Sequence, residues 1–387
     1  MKVTKFEIVK VPPSWVWLFI HTDTDLIGIG EPYLEGHPEA VIAEVRRLEQ
    51  AVVGQDPRRI EALWMRMRDA GFGYRGGPVT MSAISGIDMA LWDLKGKALG
   101  APVHELLGGP IRKSIPLYHA TGGARGPTSA PAGHRLPPGP KIGAGESAAE
   151  LVQEWGYRAV KVHVHPGSGL EATGSVDRCA AIVAEVRAAI GPDIVLAVDV
   201  HNPHPVVAAQ LAGQIADSKP LFLEEPVPLE AVESLTRVAD HCPVPLAAGE
   251  RWMGKEIFAR ALGTGALAVV QPDIAHAGGI TECKKIAALA EAAQASVALH
   301  CPLSPISLAA SVQLDAAIPN FLIQEHNEVN AQRLDGATVI GAGYLREPFV
   351  LDADGSIAVP PGAGLGVDLD RDSLEATMSL PWTAIRA

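Results

Sequence analysis

Between Val195 and His326 the chain repeats one pattern six times. The apolar runs VLAVDV, LFLEEP, PLAAGE, LAVVQPD, SVALHC and FLIQEH carry, at or near their ends, a residue able to bind a metal or move a proton: Asp199, Glu224, Glu250, Asp273, His300 and Glu325. The intervals between these residues are 25, 26, 23, 27 and 25. That is the length of one strand, one amphipathic helix and two short loops. Continuous apolar runs suit parallel strands buried on both faces. Reactive groups at the C-terminal ends of consecutive strands are how a (β/α) barrel builds an active site. Extending the period backwards adds SIPLYHA and RAVKVHV, which makes eight strands.

The segments on either side lack this period. Lys2 to Val11 and Trp17 to Gly30 read as antiparallel strands with a turn near Thr24-Asp25. Helical spacing follows over Pro38 to Val53, Asp56 to Ala70 and Thr80 to Leu99, with Gly100 as a C-cap. After Glu325 the helical period does not resume; PFVLDADGSIAVP reads as short strands around a turn at Asp354-Gly355. We expect an α+β module over residues 1–112, a barrel over 113–326, and a tail over 327–387 that packs back against the N-terminal module. The Gly- and Pro-rich stretch Thr121 to Gly145 is expected to be an active-site loop or disordered.

Charge and composition exclude several classes of partner. A net charge of -12 opposes binding to nucleic acid or an acidic membrane, both of which need a basic surface. No apolar run is long enough to span a bilayer, and MKVTKFEIVKV lacks a signal peptide's apolar core. Four scattered cysteines without a CxxC pair suggest neither a zinc site nor a disulfide framework. A cytoplasmic protein acting on a small molecule, as a homo-oligomer, is the expectation.

Asp199, Glu224 and Glu250 end three consecutive strands, which in a sheet lie about 5 Å apart. Three carboxylates converging there repel one another unless a cation lies between them. An all-oxygen donor set selects a hard ion, and Mg²⁺ suits it best because it keeps positions open for substrate oxygens. Asp273 and His300 end the next two strands, so the carboxylate can orient the ring and raise its basicity. His201, two residues beyond Asp199, would point the same way in an extended segment and offers a second acid or base. Glu325, once protonated or sharing a proton, can hydrogen-bond a substrate carboxylate oxygen. Lys161 and His163 alternate at the end of the second strand and are weaker candidates for substrate contact. Arg75, in GFGYRGGP, is a candidate anion contact, and His119 divides evenly between site and core. Together these groups suit removal of the α-proton of a carboxylate. Reprotonation at that carbon would then give racemisation, and protonation of a β-hydroxyl would give dehydration.

GIDMALWDLKGK, VDVH, FLEEP, AAGER, QPDIAHAGGITE, HCPLSPISLAAS and IQEH, in this order and spacing, resemble the enolase superfamily in its mandelate racemase subgroup. The resemblance implies an α/β fold, a (β/α)₇β TIM-like barrel under an α+β capping domain formed by the N-terminal segment and the C-terminal tail. It implies one Mg²⁺ on Asp199, Glu224 and Glu250, an Asp273–His300 dyad as base, and Glu325 as the group that stabilises an enediolate. Within the subgroup VPPSWVW, RGGP, the His201 position and HCPLSPI resemble the acid-sugar dehydratases. That likeness implies dehydration of an aldonate such as D-galactonate to a 2-keto-3-deoxy acid, with His201 helping the hydroxyl leave. Lys161-Val162-His163 departs from the Lys-X-Lys pair of the racemase, which argues against a lysine base. The EPYLEGH and GFGYRGGP loops are expected to cover the site.

Overall fold

In the computed structural model the described residues are 1–121, 143–326 and 328–384. Most of the expected insert, 122–142, therefore lies outside them. Eight parallel strands form the centre: β4 (Ser114–Thr121), β5 (Ala159–His163), β6 (Val195–Asp199), β7 (Leu223–Glu224), β8 (Leu246–Ala248), β9 (Leu267–Val270), β10 (Ser296–Val297) and β11 (Gln324–Glu325). Each pairs with the next from β4 to β10, and β11 pairs in parallel with β4. Closure comes from a bridge between Val297 and Phe321 and a Leu322 N–H to Val297 carbonyl bond of 2.8 Å. Among the described residues seven α-helices lie between the strands, from α5 (Ala144–Gln153) through α6 (Val176–Ile190), α7 (Pro205–Ile215), α8 (Leu235–Ala239), α9 (Lys255–Leu262) and α10 (Gly279–Ala292) to α11 (Pro305–Ala317). The architecture is the expected (β/α)₇β barrel.

Inside the barrel each strand, or the residue beside it, contributes one side chain to a single apolar layer: Tyr118, Ala159, Ala197, Phe222, Ala247, Val269, Ala298 and Ile323. Side chains on a strand alternate between faces, so the next inward-facing residue lies two positions further on. Applied to this layer, the rule reaches Lys161, Asp199, Glu224, His300 and Glu325. The packed layer is thus the floor of the functional one.

The cap begins with a three-stranded antiparallel sheet, β1 (Val3–Val11), β2 (Trp15–Thr22) and β3 (Ile27–Gly30). The single strand expected over Trp17 to Gly30 is therefore two. Thr22 and Thr24 cross-bond at the turn, which splits the run. Helices α1 (Pro38–Val52), α2 (Ile60–Asp69), α3 (Pro78–Leu99) and the short α4 (Val103–Leu106) follow, and Gly100 closes α3 at φ 64°. Gly28 and Gly30 let β3 lie directly on α3; a Cβ there would come within 2.2 Å of the Ala90 carbonyl and 2.0 Å of the Gly86 carbonyl.

Buried carboxylates fasten this cap to the barrel at helix N-termini, where unpaired N–H groups and the helix dipole favour a negative charge. Asp88 of α3 accepts from the Thr281 N–H and hydroxyl, at the start of α10. Glu31 accepts from the N–H and hydroxyl groups of Ser304 and Ser307, at the start of α11. The motif GIDMALWDLKGK is thus largely a fastening device.

The tail binds the same cap. Tyr344 donates its hydroxyl to the Pro12 carbonyl, the Trp382 indole N–H reaches Trp15, and the Leu365 N–H reaches Asp93. It also carries β12 (Ala331–Leu334), β13 (Ala337–Ile340) and β14 (Phe349–Val350) as a small sheet, while β15 (Ser356–Ala358) pairs antiparallel with β4. One helix was not expected there, α12 (Arg371–Met378). Its signal is the N-cap Asp370, whose carboxylate accepts from the Asp372 and Ser373 N–H groups.

Candidate active site

A cavity of about 940 Å³ opens at the C-terminal ends of the barrel strands, between barrel and cap. Its lining includes Lys161, His163, Asp199, His201, Glu250, His300 and Glu325 from the barrel, and Leu34, Glu35, His37 and Pro78 from the cap. The EPYLEGH loop thus reaches the site. Arg75 does not line the cavity. It is half exposed and pairs with Asp69 at 2.9 Å; of the GFGYRGGP stretch, Pro78 is the residue that lines the cavity. His119 lies in the core, its ring against Tyr157 and His326.

Donor oxygens of Asp199, Glu224 and Glu250 lie within 4.8 Å of one another, and all three residues are buried. Asp199 Oδ2 and Glu224 Oε2 are buried and accept no hydrogen bond of good geometry. Three buried carboxylates, two of whose oxygens lack a well-aligned hydrogen bond, fit a divalent cation, and the all-oxygen donors select a hard one. Glu250 reaches the cluster by a local device. Strand alternation would turn Gly249 inward instead, and Gly249 at φ 144° redirects the chain.

Lys161 stands on the floor of the cluster. Its Nζ lies 2.8 Å from Glu325 Oε1, 3.0 Å from Glu224 Oε2 and 3.8 Å from Asp199 Oδ2. Burial disfavours the ammonium, but these carboxylates hold its pKa well above the usual lysine range. Burial likewise opposes ionisation of Glu325, yet Lys161 and His300 bring it down to about 2. Glu325 has to gain or share a proton before it can hydrogen-bond a substrate carboxylate oxygen, and the Lys161 contact opposes that in the resting site. Asp199 is also held low, against burial, by neighbouring His163 and Lys161.

Asp273 and His300 form a parallel bridge, and His300 Nδ1 lies 2.7 Å from Asp273 Oδ2. The Nε2 atom faces the cavity, 3.6 Å from Glu250 Oε2 and 3.9 Å from Glu325 Oε2. Burial works against its charge, but Glu250, Glu325 and Asp273 raise it to about 10. On the strand four places away around the barrel, His201 Nε2 lies 3.4 Å from Asp199 Oδ2. Burial lowers the His201 pKa, with Asp199 opposing. The expectation of an extended segment is corrected here. His201 and Asn202 have φ of 49° and 57°, so a left-handed turn, not strand alternation, brings the ring beside Asp199.

The chain matches two family descriptions: "Mandelate racemase / muconate lactonizing enzyme, N-terminal domain" over residues 10–108 and "Enolase C-terminal domain-like" over residues 143–373. The chain belongs to the enolase superfamily. It is 42% identical to D-galactonate dehydratase of Klebsiella pneumoniae, over 97% of this chain and 94% of that one. It is 40% identical to D-galactonate dehydratase of Pectobacterium atrosepticum, over 96% and 93%. Among solved structures, a mandelate racemase/muconate lactonizing enzyme from Sulfitobacter superposes with a TM-score of 0.85 at 30% identity, covering 99% of this chain and 96% of that one. An enolase from Agrobacterium radiobacter, bound to sodium and L-malate, gives 0.84 at 29% identity with the same coverage.

Against this superfamily frame, several residues in the site were missed in the sequence. Arg251, the residue after Glu250, bridges Glu225 and Glu250 at the cavity wall. His276 is clamped by the cap. Its Nε2 lies 3.2 Å from Glu35 Oε2, its Nδ1 lies 3.1 Å from Ser82 Oγ, and Asp273 Oδ2 is 3.8 Å away. A histidine three residues after a site aspartate was a usable signal for His276. Glu35 had only its place in a loop expected to cover the site.

Proposed function

We propose that this protein is a Mg²⁺-dependent sugar-acid dehydratase. It converts an aldonate, D-galactonate first among them, to the 2-keto-3-deoxy acid through an enediolate. The observation that carries this reading is a pair of histidines on opposite sides of the barrel mouth, flanking one acidic triad. The relatives named D-galactonate dehydratase, at 40–42% identity over nearly their full length, support it. So does the 2-hydroxy acid held by the Agrobacterium structure.

Asp199, Glu224 and Glu250 would hold the ion. When bound, it supplies positive charge that neutralises the triad and favours negative charge building on the substrate carboxylate. Lys161 faces the same place and offers its ammonium to that carboxylate. His300, oriented by Asp273, takes the C2 proton, and the C–H electron pair moves into the C1–C2 bond to give the enediolate. Glu325 meets the developing oxygen charge; a carboxylate drawing Lys161 away removes what keeps Glu325 ionised, and lets it carry a proton. His201 protonates the C3 hydroxyl, which leaves as water while the electrons close a C2–C3 double bond. The resulting enol takes a proton at C3 and becomes the 2-keto acid. His300 and His201 thus divide base and acid roles according to position.

The test is a screen of diastereomeric C5 and C6 aldonates with Mg²⁺, read by semicarbazide for 2-keto product. A strong signal with one configuration is the expected result. Exchange of the α-proton with D₂O in a substrate that gives no keto acid would overturn dehydration in favour of racemisation.

A further inference from the structure

On the β5–β6 side of the mouth three histidines stack. The His163 and His201 ring centroids are 5.4 Å apart, and His165 lies on His201 at 4.8 Å with the planes 5° from parallel. Dehydration as derived above uses His201 and leaves His163 without a task. His163 Nδ1 and Asp199 Oδ2 are both buried, face each other at 2.9 Å, and form no hydrogen bond of good geometry. His201 Nε2 lies 3.4 Å from the same oxygen. The other Asp199 oxygen already accepts from the His201 backbone N–H at 3.2 Å. One donor atom from each of the three residues falls within 4.8 Å of the other two.

We propose that His163, Asp199 and His201 form a second metal site, selective for zinc-class ions, whose occupation stops the reaction. Two imidazoles and one carboxylate are a donor set that Zn²⁺, Ni²⁺ and Cu²⁺ take readily and Mg²⁺ does not. Tetrahedral Zn²⁺, with bonds of about 2.0–2.1 Å, holds its donors roughly 3.3–3.4 Å apart. The His201–Asp199 distance already matches, the closer His163–Asp199 contact has to open by a few tenths of an ångström, and the two imidazole donors have to settle at that spacing from within 4.8 Å of each other. Both histidine side chains are about a quarter to a third exposed in the cavity, so an ion and a completing water can enter. Asp199 Oδ2 also belongs to the acidic triad, so the second ion either bridges to the first or draws Asp199 away from it. In both cases the lone pair of His201 Nε2 is occupied by metal and can no longer carry a proton to the leaving hydroxyl.

The metal-binding half of this inference is independent of the proposed dehydration; only its effect on rate rests on it. Cu²⁺ added to the whole protein in excess Mg²⁺, read by electron paramagnetic resonance, should show superhyperfine coupling to two imidazole nitrogens. His163→Gln and His201→Gln should each leave one. An oxygen-only spectrum, or a two-nitrogen spectrum unchanged in either variant, overturns the site. In the dehydration assay, Zn²⁺ should inhibit at saturating Mg²⁺, and His163→Gln should need about tenfold more Zn²⁺ or above for half-inhibition of its own rate. Equal Zn²⁺ sensitivity of the two proteins overturns the switch even where the spectrum stands.

Discussion

Loading the acidic triad with Mg²⁺ should expel protons from the protein, and their number identifies the groups that hold them. Without the ion, burial pushes the Glu224 carboxyl well above the usual range; Asp199, Glu250 and Glu325 add to this and Lys161 opposes it. Glu224 is therefore the member of the cluster whose proton burial and its acidic neighbours make hardest to remove. His300, at about 10 through Glu250, Glu325 and Asp273 working against burial, is charged as well. Metal ligands bind deprotonated, so the ion displaces the Glu224 proton, and neutralising Glu250 weakens the hold on the His300 proton. One proton is expected from Glu224, with a second contribution from His300. Each proton released makes the apparent affinity rise about tenfold per pH unit, or about 1.4 kcal/mol. A carboxyl whose folded pKa is raised contributes stability that is complete below its ordinary pKa and lost as pH rises through the raised one. The metal-free protein should therefore lose stability toward alkaline pH, and Mg²⁺ should restore it. Titration calorimetry between about pH 6 and 8, in buffers of different ionisation enthalpy, gives the proton count from the slope of heat against buffer enthalpy. His300→Asn should lower the count without bringing it to zero. An affinity flat across that range, with no buffer-dependent heat, would refute the reasoning.

Three further outcomes are expected. His300→Asn should slow exchange of the C2 proton with D₂O by about 10²–10⁴, whereas His201→Asn should slow dehydration by a similar factor and spare exchange; normal exchange in the first, or normal dehydration in the second, reverses the assignment. Lys161→Met should leave buried carboxylates without their cation, at a cost of about 3–5 kcal/mol. At roughly 2.1 cal/mol/K of unfolding entropy per residue, that lowers the metal-free Tm by about 4–6 °C, more at high pH than at low because protonation relieves the charge; an unchanged Tm counts against the buried pairing. Glu35→Gln removes the cap's ion pair with His276 beside Asp273 and should cut kcat by about tenfold, ~1.4 kcal/mol, with Mg²⁺ affinity intact; a change confined to KM would make Glu35 a substrate contact alone.

Much of the molecule was legible in the sequence because it depends on short-range periodicity. Barrel strands are apolar runs, the helices between them set a repeat of about 25 residues, and side chains on a strand alternate. The apolar layer from Tyr118 to Ile323 and the polar layer two residues above it follow directly, which is why Asp199, Glu224, His300 and Glu325 could be named from spacing. Where local geometry departs from regular strand, the pattern carries less. Gly249 at φ 144° brings Glu250 into place, and a left-handed turn does the same for His201.

What the linear chain determined by itself is the barrel, its strand-end chemistry and the class of ion it suits. The tertiary structure alone decided which groups face one another across long separations. Glu35 meets His276, Lys161 lies beneath Glu224 and Glu325, and Arg75 turns to Asp69 instead of the cavity. It also decided the charge states. A carboxyl's pKa depends on burial and on its neighbours in space, so Glu224 and Glu325, two glutamates at the ends of similar apolar runs, are driven in opposite directions.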